Sequence, residues 1–326
     1  MATMSLGKAL NAGLRQAMER DPKVLLMGED IGKLGGVFRV TEGLQRDFGL
    51  RRVIDTPLAE SGVVGTAVGL AMRGFRPVCE IQFDGFVYPA FDQIVSQVAK
   101  LRFRNEGRVA MPVTIRVPYG GGIGAVEHHS ESPEAYFAHT AGLRVVTPSN
   151  AADGHRMIQQ AIASDDPVVF FEPKRRYWDK GEVDDDASLS EVPLHRAKVV
   201  AEGSDVTIVA YGPLVATALA AARIGDEEGT SIEVIDLRSL SPLDFGTVEE
   251  SVRKTGRLVV AHEAPVFCGL GAEIAARVSE RCFYHLESPV RRVGGFATPY
   301  PPSRLEGHFL PDADRILHEV DRCLHG

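Results

Sequence analysis

Residues 53–74 read VIDTPLAESGVVGTAVGLAMRG, and this stretch contains the passage from a predicted strand into a predicted helix. The apolar run ends at Asp55, and the helical pattern that starts at Glu60 carries no further charge before Arg73. A carboxylate at a helix N-terminus is stabilised by the helix dipole, which is a purely structural explanation for Glu60. Ligands, however, bind outside the carboxyl ends of strands in open parallel sheets. The position of Glu60 therefore suits a functional acid as well.

The rest of the chain repeats this alternation of strand-like and helix-like segments. Candidate strands before residue 180 are KVLLMGE, RVIDT, RPVCEIQF, MPVTIRV, LRVVTPS and PVVFFEP, and after residue 195 they include SDVTIVAYG, SIEVIDLRSL and GRLVVAHEA. Amphipathic helical patterns lie between them, among them residues 89–104 and a helix that Asn150 is expected to cap. Alternation of this kind predicts an α/β protein with largely parallel sheets. The acidic stretch KGEVDDDASLSEVPL, residues 180–194, has no periodicity and is interpreted as an exposed linker between two domains.

Composition excludes several classes of protein. The 326 residues carry a net charge of −8, which argues against a nucleic-acid partner or binding to an anionic membrane. No run of 18 or more apolar residues predicts a membrane span, and the N-terminal residues do not resemble a secretory signal. The four cysteines lack C-x-x-C spacing, which is typical of reduced thiols. We therefore expect a cytoplasmic protein.

Three further stretches are candidates for function, each with a structural alternative. The glycine-rich segment VPYGGGIGAVEHHS, residues 117–130, ends in two histidines that suit proton transfer or positioning but could equally be exposed loop residues. The segment EIQFDGFVYPAFDQ, residues 80–93, places aromatic rings where they could form core or stack on a flat heterocycle. The segment CGLGAEI, residues 268–274, fails as a dinucleotide fingerprint, and we interpret it as tight packing or a subunit contact.

Taken in order, several motifs resemble one family closely. They are GEDIGKLGGVFRVTEGL, IDTPLAESGVVGTAVGLAMRGFRPVCEIQFDGFVYPAFDQIVSQVAK, HHSESPEAYFAHTAGLRVV, PVVFFEPKRRYW and HEAP. Together they look like the β subunit of the thiamine-diphosphate-dependent decarboxylase component of 2-oxo acid dehydrogenases. EIQFDGF, HSESPEAYFAH, RCFYHLESPV and FATPYP are most similar to the branched-chain (2-oxoisovalerate) members. The resemblance implies a transketolase-like pyrimidine-binding domain over residues 1–179, the linker at 180–194 and a transketolase C-terminal domain over 195–326.

The same resemblance implies roles for individual residues. Glu60 matches the catalytic glutamate that hydrogen-bonds the aminopyrimidine ring and favours the tautomer that activates the cofactor. Burial is expected to raise the pKa of such an acid. His129 matches the histidine that serves acyl transfer to lipoamide, and Phe86 the aromatic residue that stacks on the pyrimidine. Glu29 and Leu58 match positions that line the cofactor end of the cleft.

The family also implies metal ions and partners. Backbone carbonyls of Val113, Ala161, Ile162, Ser164 and Asp166 match a potassium site. The chain lacks the G-D-G motif that holds Mg²⁺ and the diphosphate, so the resemblance implies an α subunit that supplies both in an α2β2 tetramer. A dihydrolipoyl acyltransferase with its lipoyl domain would accept the acyl group. Two alternatives stay open: pyruvate or acetoin as substrate, and a non-catalytic docking subunit.

Overall fold

The computed structural model describes residues 1–184, 189 and 191–325. They divide into two units, the first containing Met1–Tyr119 and Tyr136–Leu194, and the second containing Gly120–Ala135 and the chain from His195 onward. The strands are β1 (Ala2–Ser5), β2 (Val24–Gly28), β3 (Val53–Asp55), β4 (Arg76–Glu80), β5 (Thr114–Tyr119), β6 (Arg144–Val146), β7 (Val168–Pro173), β8 (Lys180–Val183), β9 (Lys198–Ala201), β10 (Val206–Ala210), β11 (Ile232–Asp236), β12 (Ser239–Ser241), β13 (Leu258–Pro265) and β14 (Arg291–Gly295). The α-helices are α1 (Leu6–Arg20), α2 (Leu44–Phe48), α3 (Glu60–Met72), α4 (Leu101–Arg104), α5 (Glu134–Ala138), α6 (Ala151–Ala163), α7 (Leu214–Glu227), α8 (Phe245–Thr255), α9 (Leu270–Arg281), α10 (Glu306–Phe309) and α11 (Ala313–His325).

Six parallel strands form the main sheet of the first unit, in the order β6-β7-β5-β4-β2-β3. Strands β2, β5 and β7 are buried along their whole length, as expected for a parallel sheet covered on both faces. Because all six strands run the same way, the segments that follow β2, β3 and β4 meet at one edge. The predicted α/β fold with parallel sheets is confirmed.

The helices of the first unit follow from simple sequence patterns. Leu6, Leu10 and Leu14 recur every four residues of α1, so they lie on one face and share a core cluster with Met157 of α6. The side chain of Asn150 accepts a hydrogen bond from the Asp153 backbone at 2.9 Å, which confirms the predicted cap of α6.

The sheet of the second unit has the order β14-β13-β10-β11-β9. Its β9 edge strand is antiparallel to β11, whereas the other pairs are parallel. Helices α7 and α11 contribute to its core, where Val215, Ala218 and Ile316 are buried. The β-α rhythm of the sequence after residue 195 therefore forms an α/β unit of its own. Within the described residues, no helix is long and apolar enough to cross a membrane.

Two segments differ from the sequence expectation. The first four residues of the predicted linker form β8, which pairs antiparallel with β1, and Val183 is buried in a small cluster. Residues 185–188 and 190 of that linker lie outside the described residues. The helix predicted over residues 89–104 is divided into a 3-10 turn (Asp84–Ala90), a π-helical turn (Gln93–Val98) and α4. Pro89 lies in the 3-10 turn, where it cannot donate the backbone hydrogen bond of a regular helical turn.

Candidate functional site

Glu60 is the first residue of α3, directly after the segment that leaves β3. Val63, Val64, Ala67 and Ala71 form the buried side of this helix. The carboxyl of Glu60 is half-buried in the chain, so the deep burial expected from the sequence is not reached by this chain's own residues. An acid at this place has an open side that faces away from its own core.

Glu29 follows β2, the neighbour of β3 in the sheet. It lies close enough to Glu60 for an electrostatic interaction between the two carboxyl groups. Burial, together with the negative charges of Asp30 and Glu60, raises the pKa of the Glu29 carboxyl above its ordinary value. The structure therefore brings two predicted site residues together as an acidic pair at the carboxyl edge of the sheet.

Phe86 lies in the 3-10 turn after β4, which is the other neighbour of β2. Its half-buried ring packs edge-to-face on Phe83 at a centroid distance of 5.9 Å. Asp84, the first residue of the turn, forms a fully buried ion pair with Lys174, whose Nζ lies 5.5 Å from the centroid of the Phe83 ring. A buried pair of this kind restricts the backbone of the turn and so fixes the direction in which Phe86 projects.

A second buried ionic group lies in the same sheet. The Arg116 guanidinium binds both oxygens of Glu172 at 2.6 and 2.9 Å and one oxygen of Glu80 at 2.5 Å. Tyr177 donates to Glu172 at 2.5 Å. Burial raises the pKa of Glu80. Burial alone would lower the pKa of Arg116, but the charges of the Glu172 and Glu80 carboxylates outweigh it, so the pKa of Arg116 is raised. Sequence reasoning missed Arg116 and Lys174, although a charge inside an apolar strand run, as in VTIRV or FFEPK, indicates that a buried partner is needed.

His129 belongs to the second unit, where it ends a 3-10 turn (Glu127–His129) and is half-exposed. Its ring meets that of His128 edge-to-face at 4.4 Å between centroids. The glycine-rich loop before it is held by the chain itself. The backbone N–H groups of Gly122 and Gly124 donate to the carboxylate of Glu306 at 2.8 and 3.0 Å. These N–H groups are therefore engaged with a carboxylate of the same chain.

The carboxyl edge of the first unit fits one half of thiamine diphosphate. It offers an acidic pair, the half-buried ring of Phe86 and the side chain of Leu58, which is 73% exposed. These groups suit the flat aminopyrimidine ring, which needs a carboxyl on its ring nitrogen and apolar contacts on its face. Within the described part of the chain, no group of three or more His, Cys, Asp or Glu residues could hold a metal ion.

The carbonyls predicted to bind potassium lie elsewhere, at the amino edge of the same sheet. The carbonyls of Ile162 and Ser164 both accept hydrogen bonds from Nη1 of Arg76, at 3.2 and 3.0 Å. The other three carbonyls of the set also accept protein hydrogen bonds: Val113 from the Val168 N–H, Ala161 from the Ser164 N–H, and Asp166 from the Ser164 hydroxyl. A potassium ion on these oxygens would lie beside a guanidinium, and like charges about 4 Å apart repel by about 4 kcal/mol near a protein surface. The residues present do not fit this ion.

Both domains match known family models. Residues 2–179 match the transketolase pyrimidine-binding domain, and residues 195–316 match the transketolase C-terminal domain. Among solved structures, the chain is similar to a protein titled "Split gene transketolase, inactive beta4 tetramer", with a TM-score of 0.80 and 26% identity over 98% of each chain. The predicted two-domain transketolase-type fold is thereby confirmed.

Curated relatives narrow the family further. The chain is 64% identical to the pyruvate dehydrogenase E1 component subunit beta of Leifsonia xyli, over 99% of this chain and 95% of the relative. It is 55% identical to the 3-methyl-2-oxobutanoate dehydrogenase subunit beta of Mycobacterium tuberculosis, over 99% and 92%. It is 46% identical to the 2-oxoisovalerate dehydrogenase subunit beta of Pseudomonas aeruginosa, over 97% and 93%. The chain therefore belongs to the family of E1 β subunits of thiamine-diphosphate-dependent 2-oxo acid dehydrogenases.

Proposed function

We propose that this β subunit acts on branched-chain 2-oxo acids, joined by an α subunit in an α2β2 tetramer. The observation that carries the proposed shared site is the edge at Glu60, where the chain supplies two acids and an aromatic ring, while its described residues include no group of three or more His, Cys, Asp or Glu that could hold a metal ion. If this edge binds the aminopyrimidine half of the cofactor, a neighbouring chain must supply the ligands for the metal ion and the diphosphate. The α subunit would hold Mg²⁺ and the diphosphate, as the absence of a G-D-G motif here suggests.

Each predicted site residue of this chain would have its own role in the reaction. Glu60 would hold a proton at the ring nitrogen of the aminopyrimidine, and Glu29, whose own pKa is raised by burial and nearby negative charge, would line the cleft next to it. Phe86 would support the face of the ring. Thiamine diphosphate, when bound, would supply the nucleophilic carbon for the reaction with the 2-oxo acid. His129 would serve the later transfer of the acyl group to the lipoyl group of an acyltransferase.

The exposed face of α3 supports the proposed contact with an α subunit. Ser61, Gly62, Thr66 and Gly69 lie on this face and are exposed in the chain. Small residues allow two backbones to approach closely, and glycine is otherwise unfavourable inside a helix by about 1 kcal/mol. An α subunit packed on this face would also cover the open side of Glu60.

Pyruvate is the second candidate substrate, because the relative at 64% identity is named as a pyruvate dehydrogenase subunit. The 55% relative and the motifs EIQFDGF and HSESPEAYFAH favour the branched-chain acid. Decarboxylation of 2-oxoisovalerate and of pyruvate by the same co-purified α and β subunits decides between them. A kcat/KM higher for pyruvate would contradict the branched-chain proposal and leave the family assignment unchanged.

Replacement of Glu60 by glutamine in the α/β complex tests the proposed catalytic role. We expect decarboxylation to fall by about 100- to 10,000-fold, because the amide cannot exchange the proton, while the complex still assembles. Glu273→Gln is the matched control, since Glu273 is also in the first turn of a helix but in the second unit. That variant should retain its turnover. Unchanged turnover in Glu60→Gln would favour a docking subunit instead.

The shared site is tested separately by calorimetry with thiamine diphosphate and Mg²⁺. The β chain alone should bind them weakly, and addition of the α subunit should bring tight binding. Tight Mg²⁺-dependent binding by the β chain alone would contradict the division of the site between two chains.

A further inference from the structure

The segment from Ala161 to Asp166 contains the end of α6 and the residues that follow it towards β7, and arginine side chains surround it; we call it the Ala161–Asp166 loop. Arg76 at the start of β4 donates from Nη1 to the carbonyls of Ile162 and Ser164, and from Nη2 to the Asp165 carboxylate at 2.8 Å. Three acceptors on one loop are thus bound by one planar, permanently charged group. A guanidinium can donate five hydrogen bonds in fixed directions, so it can replace a spherical cation that binds several oxygens at once.

Two further arginines neutralise the end of the same loop. The Asp166 carboxylate accepts from Arg144 Nε at 3.0 Å and also forms an ion pair with Arg102. Arginine side chains of the same chain therefore bind both the carboxylates and two of the carbonyl oxygens of the Ala161–Asp166 loop.

We propose that Arg76 is the resident cation of the Ala161–Asp166 loop, and that this protein holds its loop without potassium. The guanidinium lies within hydrogen-bond distance of two of the carbonyls that an ion would need. Arg76 also begins β4, the strand that leads to the turn of Phe86, so the loop is fixed to the amino end of a strand that serves the site. Potassium chloride should therefore not stabilise the folded protein more than a salt of a bulky cation does.

The test compares thermal unfolding and bound potassium of the full chain in potassium chloride and in choline chloride at equal ionic strength. For the unaltered chain, the melting temperature should agree within about 1 °C between the two salts, and elemental analysis should find substoichiometric potassium. For Arg76→Ala, the melting temperature in choline chloride should fall by about 4–8 °C, because three acceptors lose their donor. Neither readout depends on turnover, so failure here is distinct from failure of the proposed function.

Arg52→Ala is the matched control for loss of a guanidinium bound to carbonyls. Arg52 donates to the carbonyls of Met18, Asp21 and Val24 at 2.6–3.0 Å, at a place with no predicted ion site. It should lose stability equally in both salts. Should Arg76→Ala fail to fold, Arg76→Lys keeps the charge but cannot span the three acceptors, and an intermediate melting temperature is expected.

Two results would overturn the proposal. One is a melting temperature of the unaltered chain that rises in potassium chloride with one potassium ion bound per chain. The other is an Arg76→Ala chain as stable as the unaltered one in choline chloride.

Discussion

Glycines cluster in two regions of this protein, and the surroundings of the two clusters are opposite. In the second unit, Gly269, Gly271 and Gly294 surround the buried ring of His262. A Cβ at these positions would lie 2.7, 2.8 and 3.1 Å from atoms of that ring; the first two distances are shorter than real Cβ contacts, and the third is shorter than nearly all of them. Within the chain, the glycines of CGLGAEI are therefore required for tight packing, which confirms one of the two roles considered for that segment.

In α3 of the first unit, the glycines have almost no neighbours. A Cβ on Gly69 would meet nothing within 4 Å, and one on Gly62 would touch only the Cβ of Ala59 at 3.6 Å. The chain's own packing gives no reason for glycine here, although glycine weakens a helix. The comparison teaches that the first cluster is explained by packing inside the chain, whereas the second is not, and the second lies on the face that the proposed α subunit would cover.

The largest expected effect concerns the ring at the centre of the first cluster. Burial, with a contribution from the positive charge of Arg292, lowers the pKa of His262 to about 4 from 6.5. Its Nδ1 lies 2.9 Å from the Ala264 carbonyl, to which a neutral ring can donate. Between pH 6.5 and pH 4 the unfolded chain binds more protons than the folded chain. The stability that the neutral His262 ring contributes to the folded chain is therefore fully present above pH 6.5 and is lost as the pH falls towards 4. We expect a loss of about 2 kcal/mol of unfolding free energy between pH 7 and pH 5.

Urea unfolding of the chain and of His262→Gln at both pH values checks this. The glutamine variant should show a smaller difference between pH 7 and pH 5, because the titrating ring is gone while every other ionisable group is retained. Equal pH dependence of the two proteins would contradict a buried neutral histidine.

The two clusters also mark how far sequence reasoning reaches. The strands and most helices follow from local patterns: apolar runs such as VLLMG, four-residue leucine spacing in α1, and the Asn150 cap. The pairing of β1 with β8 could not be predicted, because it joins residues far apart in the chain without a local signal. The division of residues 89–104 into three short turns was also missed, since the apolar period alone indicates a regular helix.

The candidate site shows the same limit. Glu60, Glu29 and Phe86 were identified from the family motifs, and their approach at one sheet edge follows from parallel strands. The buried ion pairs were not foreseen, because the charge in VTIRV indicates only that a buried partner is needed, and the sequence does not say which residues of two other strands supply it. For the same reason, motif matching could not reveal that Arg76 covers the carbonyls of the predicted potassium site.

An effect of similar size is expected when a methyl group is added inside the first cluster. In Gly271→Ala, the new Cβ would meet His262 Nε2 at 2.8 Å and a methyl of Val260 at 3.4 Å. Overpacking of a buried site costs about 1–3 kcal/mol, so the unfolding midpoint of the second unit should fall. Gly307→Ala is the matched control, because a Cβ there meets nothing within 4 Å and should leave the midpoint unchanged or slightly raised. Equal behaviour of the two variants would show that packing on His262 does not explain this glycine.

The smallest effect on stability, and one of opposite sign, is expected for Gly69→Ala in α3. Alanine favours the helix by up to about 1 kcal/mol and meets no atom of the chain, so the isolated β subunit should become slightly more stable. If an α subunit approaches this face closely, the same methyl group should weaken α–β association, measured by titration of one subunit with the other. Gly307→Ala serves again as control and should leave association unchanged. A Gly69→Ala chain that is more stable and still associates with full affinity would mean that no close contact covers this part of α3, and the difference between the two clusters would then need another cause.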